Sequence, residues 1–297
     1  MFRKHALVAA SALSLLFITA MGSAQAANPL GIAFKYVTNV TSYGRPTGML
    51  IAGRCNRNDA AFQTARRGGA EVLAYVNPVA RPDHHVCALD TQYYMNDIGR
   101  VPLWPYPRYG TRSPWPNTRM TDIRAGSAWS NHVVAYVERL MREGRVDGVF
   151  LDAVGVRPWA SLAEWHSWPA AEKKAFADGN VDLVRRLDAR RRAIKPDFII
   201  VNNNVWESGT TKALAGERYV DGVALEHPRP LSPWHVAYAR RTFSNLGHRR
   251  VLVIANTRAD ARAWANVPGV THVSDQTSAQ YRNPNPPAVP FTALRDR

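Results

Sequence analysis

An alternation limits what this chain can fold into. From residue 48 onward, short β-branched or apolar runs are each followed by a helical pattern or a long connection. The runs are Gly48–Arg54, Glu71–Pro78, Arg119–Arg124, Val146–Gly155, Asp197–Asn204, Val220–His227, Arg250–Thr257 and Val270–Thr277. Between them, helical spacing predicts helices over Ala128–Glu143, Ala170–Ile194, Thr211–Glu217, Pro233–Leu246 and Asp260–Ala265. Strands that are apolar on both faces need helices on both sides, which argues for a parallel sheet. Eight such units in about 250 residues have the size of an α/β (β/α)8 TIM barrel forming a single domain. An open doubly wound sheet is the alternative, but no Gly-rich phosphate loop follows the first run. A ninth strand-like run, Gly31–Val40, could be the true first strand, with Gly48–Arg54 a hairpin or an extra element.

The barrel is expected to occupy residues 27–280, with a Pro-rich tail at 281–297. Residues 1–26 read as a signal peptide: Arg3 and Lys4, then the apolar stretch Ala6–Gly22, then Ala24-Gln25-Ala26 before the cut. No later stretch approaches the ~20 apolar residues that a membrane span needs. The mature protein is therefore expected to be secreted or extracytoplasmic. In that setting the lone pair Cys55 and Cys87 is expected to form a disulfide. Loss of the leader lowers the net charge from +15 to +13, almost all of it from arginine. The densest basic run, Arg185–Arg192, lies on an amphipathic helix and reads as a solvated face, so nucleic acid is not the expected partner.

One phrase is written twice. Val146-Asp147-Gly148-Val149-Phe150-Leu151-Asp152 returns as Val220-Asp221-Gly222-Val223-Ala224-Leu225-Glu226. On the count above these are strands four and six. Alternate strands of such a barrel feed the same interior layer, and side chains alternate along each strand. Gly148, Phe150 and Asp152 then face inward, as do Gly222, Ala224 and Glu226. Both acids stand at C-terminal strand ends, where barrel active sites lie. Asp147 and Asp221, at the strand starts, are expected to cap or pair at the opposite face. Two carboxylates facing one pocket are what glycoside hydrolysis requires.

Other strand ends offer polar groups for hydroxyl recognition: Tyr75 and Asn77, Asp122 and Arg124, the run Asn202-Asn203-Asn204, His227, Asn256 and Asp275. From that run Asn202 and Asn204 are taken as substrate-binding residues. Turn capping is the alternative for each of these positions. Trp206, with Trp104, Trp115 and Trp159, lies in or beside the same loops and could stack on sugar rings. No G-x-S-x-G elbow and no H-E-x-x-H motif occurs, so neither a serine hydrolase nor a metal hydrolase is expected, and no cofactor or metal is needed.

At these residues the chain resembles glycoside hydrolase family 114, the endo-α-1,4-polygalactosaminidase-like barrels, and related hypothetical glycosyl hydrolase families. The similarity rests on Val72-Leu73-Ala74-Tyr75-Val76-Asn77-Pro78, the Trp/Pro-rich loop, Asp122-Ile123-Arg124 and the two copies of the repeated phrase. It implies a (β/α)8 hydrolase with Asp152 as nucleophile and Glu226 as acid/base, acting on a poly- or oligosaccharide, and a monomer suffices. Glu226 would then need a raised pKa to keep its proton near neutrality. The departure is Ala153, where such barrels often carry Asn after the strand-four acid. A non-catalytic carbohydrate-binding barrel at the cell surface and an exported binder of anionic polymers are the alternative functions.

Overall fold

The computed structural model describes residues 30–35, 48–53, 59–85, 90–106, 113, 117–158, 163–203, 208–226, 233–234, 236–237, 250–255 and 257–274. The strands are β1 (Leu30–Lys35), β2 (Met49–Ala52), β3 (Glu71–Val76), β4 (Ala80–Pro82), β5 (Thr118–Met120), β6 (Gly148–Leu151), β7 (Ile199–Asn203), β8 (Gly222–Glu226), β9 (Arg250–Ile254) and β10 (His272–Ser274). Eight of them close a barrel in the order β1, β2, β3, β6, β7, β8, β9, β10 and back to β1. Every neighbouring pair in the ring is parallel. This is the (β/α)8 architecture.

Two elements differ from the sequence reading. The run at residues 31–40 does hold the first barrel strand, β1, so Gly48–Arg54 supplies the second. The segment Arg119–Arg124 does not enter the barrel. Thr118–Met120 instead pairs antiparallel with Ala80–Pro82, forming a small ribbon beyond the C-terminal end of β3. One strand is added and one removed, so the repeated phrase still occupies barrel positions four and six. Its carboxylates keep their equal parity.

The main helices are α1 (Asp59–Arg67), α2 (Asp90–Tyr93), α3 (Ala128–Glu143) and α4 (Ala170–Ile194), with a further helix at Arg258–Ala265. The ends of α3 follow from local chemistry. The Ser127 side chain accepts the Ser130 N–H at the start. Gly144 stops the helix in the left-handed region, where its N–H returns to the Leu140 carbonyl. Trp129, Val133, Val137 and Leu140 recur at helical spacing and form its buried stripe. Gly179 lets α4 approach the loop after β5. A Cβ there would stand 2.2 Å from the Ile123 carbonyl oxygen.

Two apolar layers result. Ile51, Leu73, Phe150, Val201, Ala224 and Leu252 fill the barrel interior. Val149, Leu151, Val223 and Leu225 belong to the outer core between sheet and helices. The repeated phrase is thereby explained position by position. Val146 and Val220 anchor in the outer core. Asp147 accepts the Val72 N–H at 2.9 Å and returns its own N–H to the Val72 carbonyl at 2.8 Å. Asp221 does the same with Ile200, at 2.9 and 2.7 Å. Each aspartate also pairs with a helix arginine, Arg66 for Asp147 and Arg191 for Asp221. The strand starts are thus fastened at the face opposite the two acids.

The glycines of the phrase are steric. A Cβ on Gly148 would lie 2.2 Å from the Ile199 carbonyl oxygen, whereas one on Gly222 would lie 2.9 Å from the nearest atom, the Arg250 Cβ. Gly148→Ala is therefore expected to lower stability by about 3 kcal/mol, as overpacking against backbone does, and Gly222→Ala by visibly less. Urea midpoints of the two variants check the ordering.

Among the described residues, no helix is long and apolar enough to cross a membrane. The expected leader (1–26), the tail (281–297) and both cysteines, Cys55 and Cys87, lie outside the described residues.

Candidate active site

β6 carries Asp152 one residue beyond its last paired position, and β8 ends on Glu226. Between them runs β7, whose Val201 is paired with Phe150 and whose Asn203 is paired with Ala224. Side chains alternate, so Asn203 shares the inward face with Ile199 and Val201. Its amide lies between the two acids. Asn203 Nδ2 donates to Asp152 Oδ1 at 2.8 Å and to Glu226 Oε2 at 2.7 Å. One amide nitrogen spends both protons on two carboxylates, which holds those oxygens no more than about 5.5 Å apart.

The other Asp152 oxygen is held from β3. The Tyr75 hydroxyl donates to Oδ2 in a short hydrogen bond, and Asn77 Nδ2 donates to it at 3.3 Å. Asn77 is itself oriented, because its Oδ1 accepts the Val79 and Ala80 N–H groups at 3.1 and 3.0 Å. The surrounding backbone rests on an aromatic pillar. Tyr93 donates its hydroxyl to the Asn77 carbonyl at 2.8 Å, and Trp129 Nε1 donates to the Pro78 carbonyl at 2.6 Å. Ala153, after the acid, is in the left-handed region at φ 59°. An L-residue with a Cβ pays roughly 1–2 kcal/mol there. Asn tolerates that region better than Ala.

Asp152 is buried, with 8% of its surface exposed, while Glu226 is half-buried. Burial and then the nearby Glu226 charge push the Asp152 carboxyl up from 3.8 to about 6. The hydrogen bonds from Tyr75, Asn203 and the Ala153 backbone pull the other way. Asp152 is the more deeply buried of the two acids. A raised carboxyl pKa favours the folded state at low pH, and that stabilisation is lost as pH rises through about 6. Asp152→Asn is therefore expected to gain stability relative to wild type between pH 4 and pH 7. Paired thermal melts across that window test the sign.

Tyr75, Asn77, Asp152 and Glu226, named from sequence, meet here. Asn203, read with its neighbours but not chosen, is the member of its run that faces the acids. Asn202 faces the helix side, buried, and donates to the Val154 carbonyl at 2.6 Å. Asp122 and Arg124 close on each other in a two-pronged ion pair of 2.8 and 2.7 Å in the loop after β5, not at a barrel strand end. Trp104 is buried and stacks on Trp168 at 5.7 Å, so it belongs to the core and offers no sugar platform. Asn204, Trp206, His227, Asn256 and Asp275, with Trp115 and Trp159, lie outside the described residues.

A cleft of about 890 Å³ lies at the opposite, N-terminal face of the barrel. Its charged walls are mostly spent on each other, in Arg66 with Asp147 and Arg250 with Glu71. That suits fastening of the barrel floor rather than catalysis. Among the described residues, no cluster of three or more His, Cys, Asp or Glu side chains could hold a metal ion.

Fold and site together define a class, the (β/α)8 barrel with two carboxylates held at the C-terminal end of its ring. No protein-family model matches the chain, and no curated protein matches it. Solved structures do. The glycoside hydrolase domain of PelA from Pseudomonas aeruginosa superposes with a TM-score of 0.59 at 15% identity, covering 86% of this chain and 97% of that one. Ega3 of Aspergillus fumigatus, solved in complex with galactosamine, gives 0.52 at 11% identity, covering 84% and 92%. Alpha-L-fucosidase isoenzyme 2 from Paenibacillus thiaminolyticus gives 0.50 at 14% identity, covering 75% of this chain and 37% of that one. At these identities the likeness is one of fold.

Proposed function

We propose that this chain is a secreted glycoside hydrolase that cleaves a poly- or oligosaccharide by double displacement with retention of configuration. The observation that carries the reading is the Asn203 amide, which holds one oxygen of Asp152 and one of Glu226 no more than about 5.5 Å apart. Retaining enzymes hold their two carboxyl groups ~5–5.5 Å apart, while inverting enzymes leave ~6.5–9.5 Å for a water. Asp152 is the nucleophile. It is buried at a fixed point and receives three side-chain donors, an arrangement that suits an anion. Glu226 has one more methylene and is more exposed. It protonates the leaving oxygen and then takes a proton from the water that resolves the glycosyl-enzyme.

The leader, if cut, places this chemistry outside the cytoplasm. The test is a hydrolysis screen over polysaccharides and activated aryl glycosides, with Asp152→Asn beside the wild type and the anomer of the first product read by NMR. Turnover by wild type alone, with retained configuration, is expected. An inverted product would overturn the double displacement. Saturable sugar binding with no turnover by either protein would favour the non-catalytic carbohydrate-binding barrel.

A further inference from the structure

The ribbon β4–β5, just beyond Asn77, contains a buried cation that the mechanism does not use. Arg81 on β4 is opposite Arg119 on β5, so the two guanidinium groups project to one side of the ribbon. They share one acid. Asp83 is bonded by Arg119 at 2.6 Å, and one positive charge is left over. Arg81 is only 8% exposed. Its Nη1 donates to the Pro82 carbonyl at 3.0 Å, but its Nε–H is buried with no acceptor. Burial holds the guanidinium below its ordinary pKa; Asp83 opposes that lowering and Arg119 adds to it.

A second orphan donor, on His85, is four positions along the chain. His85 Nε2 accepts the Ile98 N–H at 3.3 Å, so the ring proton sits on Nδ1. That Nδ1 is buried and has no acceptor. Tyr94 connects the two groups. Its ring centroid is 6.1 Å from that of His85, and it is also a neighbour of Arg81. Two buried N–H donors without acceptors, beside an excess positive charge, describe a place built for a negatively charged acceptor.

We propose that Arg81 and His85 form an oxyanion-binding subsite beside the carboxylate pair, so that the glycan this protein acts on carries acidic groups. The subsite stands on its own geometry, whereas the substrate class rests on the reading of Asp152 and Glu226 as hydrolytic. Only three residues of chain separate Arg81 from Asn77, which touches Asp152, so the two Cα atoms are at most ~14 Å apart. An acidic sugar a unit or two from the cleaved bond could bridge that distance. The mature net charge of +13 favours the same polymers by long-range attraction. It disfavours a deacetylated, cationic amino-sugar chain.

The experiment compares thermal shifts of the full chain in sodium glucuronate, sodium sulfate, glucose and sodium chloride at constant ionic strength. Glucuronate is expected to raise the melting temperature above chloride in a saturable way, and glucose is not. A response to sulfate equal to that to glucuronate identifies an inorganic oxyanion as the ligand. A larger response to glucuronate identifies the acidic sugar. Arg81→Gln and, independently, His85→Phe should each weaken the response at least tenfold in apparent Kd. Should Arg81→Gln not fold, His85→Phe and the wild-type series still decide the matter. Identical melting in all four solutes overturns the subsite. On any hydrolysed glycan series, His85→Phe should lower kcat/KM for acidic members and spare neutral ones. An unchanged acid preference with intact turnover rejects the subsite alone. Saturable glucuronate binding without any turnover rejects the hydrolytic reading and leaves the subsite standing.

Discussion

Asp152→Asn is expected to lose turnover by at least about 10⁴-fold on every substrate, the scale seen when a residue that forms the covalent bond is removed. The amide keeps the size of the carboxyl and can still accept from Tyr75, but it cannot attack an anomeric carbon. Glu226→Ala should behave differently. Glycosides with good leaving groups need little protonation, so their first step should survive while the resolving step stalls. Added azide, a nucleophile that needs no general base, should then restore the second step and leave a glycosyl azide that mass spectrometry can detect. The wild-type pH profile adds an independent check. Attack needs the ionised carboxyl, which burial and Glu226 push up to about 6, so kcat/KM should fall as pH drops below about 6. Near-wild-type turnover by Asp152→Ala on a confirmed substrate would reject the assignment and leave the repeated phrase as scaffold.

The second large effect is expected at Asn203. Its amide gives Asp152 and Glu226 a common donor at 2.8 and 2.7 Å. Asn203→Ala removes a bond that lowers the Asp152 pKa and leaves both carboxylates facing each other without it. The acid limb of kcat/KM should move to higher pH, because less of Asp152 is ionised at a given pH. Turnover at the optimum should fall about 10²–10³-fold, as on removal of a preorganised donor. A purely structural asparagine would lower stability and leave the limb where it was. The decisive measurement is therefore the position of the limb in a variant whose melting curve shows it folded. Tyr75→Phe offers a parallel test, since the hydroxyl bond to Asp152 acts in the same direction.

The residues that locate the site were legible wherever the information is local. The bounds of α3 and α4, Ala128–Glu143 and Ala170–Ile194, agree with those expected, and the caps Ser127 and Gly144 act within a single turn. The repeated phrase was legible for a similar reason. Its alternation assigns Val149 and Leu151 to one face and Phe150 and Asp152 to the other without knowledge of any partner strand. What the alternation could not say is which face of an all-apolar run looks inward. In Phe198-Ile199-Ile200-Val201 both phases are equally apolar, so the pattern gave no ground for choosing Asn202 and Asn204 over Asn203, and the register with β6 and β8 decides for Asn203.

The sequence by itself therefore determined the alternating architecture, the two strand-end acids and the capped helices, because these depend on the chemistry of residues near one another in the chain. Only the tertiary structure decided that β1 belongs to the ring, that Arg119–Arg124 leaves it for an antiparallel ribbon, and that Asn203 rather than Asn202 joins the acids. Strand membership and register are set by hydrogen bonds to partners far along the chain, as between β3 and β6 or β1 and β10. A single run of β-branched residues reads the same whichever partner takes it. The raised pKa of Asp152 has the same origin, since it follows from burial and from the approach of Glu226, both of which exist only once the barrel has closed.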